Sequence, residues 1–492
     1  MPGGAVKMFC TKRMTNGGNH ATPFGNHGQT PINFAITPLL TMPVDELHKA
    51  LAELDQLERQ ERHLRKAIEA QKLKIDRLGP TTINRLPPEL LSQIFTLCIP
   101  DPKFPEESLN RIVGVSRRWR DVVWNNPSFW TFIKVTQIQH KKSLEKQLER
   151  SGKALLDIWI EGWDYRPPYD RDQFHALLGA IVPHANCWRS LTINTDSMEM
   201  EFVESFLTEF DHLSITSLQE FTMDIWDNGN GLPYLPYPDF LSPLTRTPAL
   251  QHLTLKPSFQ LDTFMALPTL KTLHLTFAKA DHSPPVISML TPAQSLTSLV
   301  LDGGSAGWSL KRNDLHLPLL DHLTLHLDRP IPFLEAIVAP KLRYVRCCFY
   351  DPVEFNAIER KFRDVHDLSL EANGGAEESL CRAFPGVRQV CLSVWDTQDF
   401  LMAGIYRSAG VLERRPPIDQ WLNLETVTLD GVLPSLEHWG LDNPIVKWLR
   451  GRQESGLPRL RVRLPQRIKA DRDRLPSLLG RYCNLEMFTD PM

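Results

Sequence analysis

Apolar positions along the chain follow more than one period. Residues 44–78, VDELHKALAELDQLERQERHLRKAIEAQKLKIDRL, carry apolar side chains every three or four residues and no Gly or Pro. Leu47, Leu54, Glu61, Ile68 and Ile75 occupy one seam position; Ala50, Leu57, Leu64, Gln71 and Leu78 occupy the other. Eight of these ten are apolar, which is the two-seam pattern of a coiled coil. The segment is expected to pair with a second copy or a partner helix, or to lie along the protein as one long helix. Glu61 and Gln71 interrupt the seam and are suited to set register. Gly79 and Pro80 end the helix.

From residue 188 a different unit recurs, apolar-x-x-apolar-x-apolar. Clear copies are LQHLTL (250–255), LKTLHL (270–275), LTSLVL (296–301), LDHLTL (320–325) and LETVTL (424–429). Weaker ones begin at 188, 218, 342, 365 and 387, and LPRLRV (457–462) and LEMF (485–488) close the series. Proline often stands just before a copy, where a strand would begin after a turn. One such unit cannot bury its apolar face alone, so many must stack into a solenoid. The pattern resembles a leucine-rich repeat. An unrelated α+β domain with several similar strands is the competing reading. The repeat is degenerate: the turn position that usually holds Asn or Cys holds Ser258, Ala278, Gly304, Asp328 and Val432, with one Asn373. The long intervals 224–249 and 393–423 read as insertions of the kind that carry contacts.

Between the two patterns lies a compact block, 83–135. Proline opens its first helix at no hydrogen-bonding cost, and Leu90, Leu91, Ile94, Phe95 and Leu97 form a broad apolar stripe. A second helix offers Ile112, Val113, Val115, Trp119, Val122 and Val123. So few residues make a poor independent core. The block should finish burying its surface on a partner or neighbouring domain, or serve as a helical cap for the repeats.

LPPELLSQIF, IVGVSRRWRDVV and NNPSFW, in that order, resemble an F-box. The family's Leu-Pro, acid and leucine match Leu86, Pro87, Glu89 and Leu90. Its Val-Cys/Ser-Arg/Lys-x-Trp segment matches Val115, Ser116, Arg117 and Trp119, and its closing Pro and Trp match Pro127 and Trp130. The loop CIPDPKFPEESLNR is longer than the family's and should bulge without altering either helix. The resemblance implies an SKP-family adaptor bound by Leu86, Pro87, Pro88, Glu89, Leu90, Leu91, Ile94, Phe95, Val115, Trp119 and Trp130. Through that adaptor it implies a cullin–RING ubiquitin ligase, with the repeats holding a protein substrate. The order of heptad helix, F-box and degenerate repeats also resembles the expanded F-box families of mushroom-forming (basidiomycete) fungi.

The expected fold is α/β. Its parts are a disordered stretch (1–42), a coiled coil (43–79), an all-α F-box (80–135), linker helices with a first strand (136–187) and an irregular leucine-rich-repeat solenoid (188–492). The solenoid should carry parallel strands with helices and loops on its convex side. Composition refines this picture. The chain has 492 residues, 42% hydrophobic and 23% charged, with net charge −3. Near-neutrality argues against nucleic acid or an anionic membrane as main partner. No apolar run of about 18 residues exists to span a membrane, and the N-terminus lacks the apolar core of a signal peptide. Eight scattered cysteines without a CxxC suggest a reducing compartment, cytoplasm and/or nucleus, with cysteine used as a small apolar residue.

No hydrolase, P-loop, zincin or dinucleotide motif occurs, so no enzyme activity, cofactor or metal is expected. His252 and His322 share a strand position but sit repeats apart. Arg343, Tyr344, Arg346, His366 and Arg388 cluster on successive units. They could form a basic-aromatic patch on the concave face, suited to an acidic or phosphorylated segment, or simply a solvated strand face. A scaffold acting outside ubiquitination and a ligand-sensing receptor are the alternative functions.

Overall fold

The computed structural model describes residues 44–77, 83, 86–99, 106–163, 171–196 and, in discontinuous stretches, most of 203–489. The expected disorder of 1–42 and the seam residue Leu78 fall outside these residues, as do 227–234 and 402–415 within the two long intervals. The chain divides into two compact units at Arg85/Leu86.

The first unit contains α1 (Val44–Arg77), a single helix of 34 residues. With no Gly or Pro to break it, the heptad segment stays helical throughout. Pairs one turn apart, Asp55–Arg59 at 2.5 Å and Glu61–Arg65 at 2.6 Å, support it.

The second unit begins with α2 (Pro88–Leu97), α3 (Glu106–Val115) and α4 (Arg117–Asn125). The expected second helix is therefore two. Ser116 stops it, takes an extended backbone and accepts a hydrogen bond from the Trp119 N–H at 3.2 Å. It is an N-cap placed inside the apolar run. The end of the expected loop, from Glu106, already belongs to α3.

Among the described residues an open sheet of fourteen strands follows, and every pairing in it is parallel. Its strands are β1 (Phe132–Val135), β2 (Leu156–Glu161), β3 (Trp188–Asp196), β4 (Glu220–Trp226), β5 (His252–Leu255), β6 (Thr272–Phe277) and β7 (Ser298–Gly303). They continue as β8 (His322–Leu327), β9 (Tyr344–Phe349), β10 (Asp367–Ala372), β11 (Gln389–Leu392), β12 (Thr426–Leu429), β13 (Arg461–Pro465) and β14 (Asn484–Phe488). Each strand pairs with the next in chain order. That order requires each connection to cross back over one face. Part of this return is helical, in α5 (Lys141–Ser151), α6 (Arg171–Ile181), α7 (Val286–Leu290), α8 (Ile331–Ala336), α9 (Glu377–Ala383) and α10 (Pro444–Glu454).

Strand alternation explains the repeat unit. Leu253 and Leu255, Leu273 and Leu275, Leu299 and Leu301, and Leu323 and Leu325 are all buried against the connections. The first leucine of each unit, such as Leu250, Leu270, Leu296 or Leu320, precedes the strand and turns into the same core. The residues between them face the opposite, polar side.

Two boundaries differ from the sequence reading. The sheet begins at Phe132, inside the 80–135 block, because FIKV already alternates with Ile133 and Val135 buried. At the copy read as LPRLRV the frame is two residues later: Val462 pairs with Val427, and Leu464 follows as the next inward position. A two-residue slip keeps the same side chains inward, so periodicity alone does not reveal it.

Buried thiols act as core. Cys347 is pushed up to about 12 and Cys483 to about 11 by desolvation, far from a reactive thiolate. The close packing of successive connections shows at Gly386, where a Cβ would lie 1.9 Å from the Arg363 carbonyl oxygen. Gly386→Ala is expected to destabilise the protein by about 1–3 kcal/mol through overpacking against backbone. A thermal or urea midpoint equal to wild type would contradict this packing. Among the described residues no helix is long and apolar enough to cross a membrane.

Candidate functional site

α2 presents three distinct faces. Leu91 and Phe95 point inward, 0% and 1% exposed, and Phe95 packs on Trp119 with ring centroids 4.7 Å apart. Val122, Val123, Leu109, Ile112 and Phe129 complete this small core. A second face carries Leu90, Ile94 and Leu97, spaced four and three residues apart along one side of the helix. Leu90 is 44% and Leu97 85% exposed, while Ile94 is half-buried. The third face is polar. Glu89, Ser92, Gln93 and Thr96 line one side of a groove of about 710 Å³, whose opposite wall includes Arg118, Asp121 and Asn125 of α4.

The expected contact residues therefore separate. Pro87, Pro88, Glu89 and Leu90 lie exposed together at the start of α2, with Leu86 half-buried before them. Val115, 59% exposed, stands at the end of α3. Leu91 and Phe95 have no surface to offer and support the helix from behind. Trp119 is half-buried against Phe95.

Trp130 is also structural. Its indole N–H donates to the Val123 carbonyl at 2.9 Å. The Arg150 guanidinium of α5 lies 4.6 Å from its ring centroid and 5.1 Å from that of Trp124. The Gln147 amide, also from α5, donates to the Phe132 carbonyl at 2.7 Å. α5 thus ties the three-helix block to the first strand. Sequence reasoning left out Leu97 and Trp124 as site residues, although Leu97 lies seven residues after Leu90 on the same side of α2. Arg150→Ala should lower stability by about 1 kcal/mol through the lost ring contacts, read as a lowered melting temperature. An unchanged melt would show that the junction does not depend on it.

On the polar sheet face, the five clustered residues are brought together. Tyr344 and Arg346 are on β9, and Arg343, His366 and Arg388 each stand just before β9, β10 or β11. The last three are linked through backbone bonds, His366 N–H to Arg343 carbonyl at 2.9 Å and Arg388 N–H to His366 carbonyl at 2.8 Å. Each arginine already faces a carboxylate: Arg343–Asp321 at 3.8 Å, Arg388–Glu425 at 3.9 Å, and Arg346 in close contact with Glu371. The patch is mixed in charge rather than basic, because three acids distant in sequence meet it, Glu371 on β10 and Asp321 and Glu425 just before β8 and β12. Tyr344 stacks obliquely beside His322 at 5.5 Å, and burial raises its phenol pKa against the hydrogen bond to Ser369. His252 and His322 share one rung through Thr272 and Ser298. Three strand spacings, about 14 Å, keep them from sharing an ion.

A three-helix module with an exposed apolar stripe is braced against one end of an open parallel sheet. Residues 83–136 match the F-box-like family, so this module is an F-box-like domain. No curated protein matches the chain.

Proposed function

We propose that the chain is the substrate-recognition subunit of an SKP–cullin–F-box ubiquitin ligase. The observation that carries this reading is the exposed stripe Leu90–Ile94–Leu97 on the F-box-like domain. A folded protein gains by covering such a stripe, and burial of one leucine contributes about 1.5–3 kcal/mol. The partner is an SKP-family adaptor, which supplies an apolar counterpart and links the chain to a cullin–RING ligase. The sheet reads as a degenerate leucine-rich-repeat solenoid, since strands in chain order share one repeated apolar frame. Its polar face holds a protein substrate, and ubiquitin transfer belongs to the other subunits, so this chain acts by positioning. The mixed-charge patch around Arg343, Arg346, His366 and Arg388 suits a segment carrying both signs better than a purely acidic one.

The test is reconstitution. The purified chain with an SKP-family adaptor should form a stable complex, and addition of cullin, RING subunit and charged conjugating enzyme should yield ubiquitin chains on captured proteins. Absence of adaptor binding would refute the reading at its base. Adaptor binding without ubiquitin chains would instead support a scaffold.

A further inference from the structure

The seam of α1 is exposed: Leu47 51%, Leu54 53%, Leu57 61%, Leu64 61% and Ile68 54%. Charge is also divided along this helix. Residues 44–60 contain five acids and two bases, a net of −3, and residues 61–77 contain six bases and three acids, a net of +3. In a single helix, acids near the N-terminus and bases near the C-terminus favour the macrodipole. That effect fades beyond the terminal turns, whereas Glu53, Glu58 and Arg65 lie well inside. Their heptad positions are informative, since the residues flanking the seam choose partner and orientation.

We infer that α1 pairs antiparallel with a second copy of this chain. In a parallel, in-register pair Glu53 would face Glu58 of the second copy, on both sides of the seam. In an antiparallel pair centred between Arg62 and His63, Glu53 faces Lys74 of the second copy and Glu58 faces its Arg65. Symmetry repeats each contact, giving four opposite-charge pairs and no like-charge one. The seam layers become Leu54 on Gln71, Leu57 on Ile68, and Glu61 on Leu64. Arg65 then lies between its own Glu61, 2.6 Å away within the helix, and the second copy's Glu58, which offsets the cost of an acid in the seam. A helix of this length spans about 50 Å. The inference is independent of adaptor binding.

Sedimentation equilibrium of the intact chain over the micromolar range tests it. The expected mass is that of two 56.3 kDa chains. Glu53→Lys sets lysine against Lys74 and should weaken the dimer on the order of tenfold. Lys74→Glu should do the same, and mixing the two single variants should restore pairing, because each supplies the other's missing charge. Circular dichroism confirms that α1 stays helical in each variant. A monomer throughout the range, or a trimer, overturns self-pairing. Tightening by Glu53→Lys identifies the parallel pair, where lysine would meet Glu58, and overturns the antiparallel arrangement; so does no change.

Discussion

Replacing both Leu90 and Leu97 by aspartate is expected to abolish adaptor capture while leaving the protein folded. The two side chains face solvent, so their loss removes little from the folded core. Burying both on a partner contributes roughly 3 kcal/mol or more, and the aspartates would add the cost of desolvating charge. The expected loss of affinity is at least about 100-fold. Titration calorimetry with a purified SKP-family adaptor measures it, and a thermal melt of each variant establishes that the fold survives. Adaptor affinity equal to wild type would sink the docking assignment. Leu91 or Phe95 would be a poor choice for this test, because each is buried and its replacement would disrupt the helical block itself.

The second large effect is on stability. Arg452 of α10 and Asp419 form an ion pair at 2.6 Å with side chains 3% and 7% exposed, and the Trp448 indole N–H donates to the same carboxylate oxygen at 3.1 Å. The Nε and Nη2 atoms of Arg452 have no hydrogen-bond partner, so its buried charge depends on Asp419. Asp419→Ala leaves that charge uncompensated and is expected to cost about 3–5 kcal/mol. Replacing the pair together, Asp419→Leu with Arg452→Met, should recover most of the loss, because the two charges are then removed together. Chemical denaturation followed by tryptophan fluorescence reads both variants. If the single variant unfolds at the wild-type midpoint, the pair does not hold this part of the sheet.

Much of the architecture was legible before any coordinates. The repeat frame placed most strands because period-two alternation needs only neighbouring residues, and Leu250, Leu253 and Leu255 show the unit in six letters. The helical block was legible for a similar reason, with Pro88 starting α2 and Gly152 closing α5 in the left-handed region. Ser116 carried a local signal too, an N-cap residue before an apolar turn, but the apolar positions on both sides hid the break. The shift at β13 was not legible, since both frames bury the same face.

The candidate site divides along the same line. An apolar stripe on α2 follows from residue spacing, a property of one helix. Which part of that stripe is free is settled by what packs behind it: Leu91 and Phe95 are buried, Phe95 against Trp119, whereas Leu90 and Leu97 remain exposed. On the sheet face, Arg343 and Arg388 read as a basic pair because they occupy equivalent positions in successive units. Only the parallel register sets Asp321 and Glu425 beside them, more than twenty residues away in each case. Local periods are written in the chain because they depend on near neighbours. Exposure and charge balance are not, because they depend on residues that meet only when the strands stack.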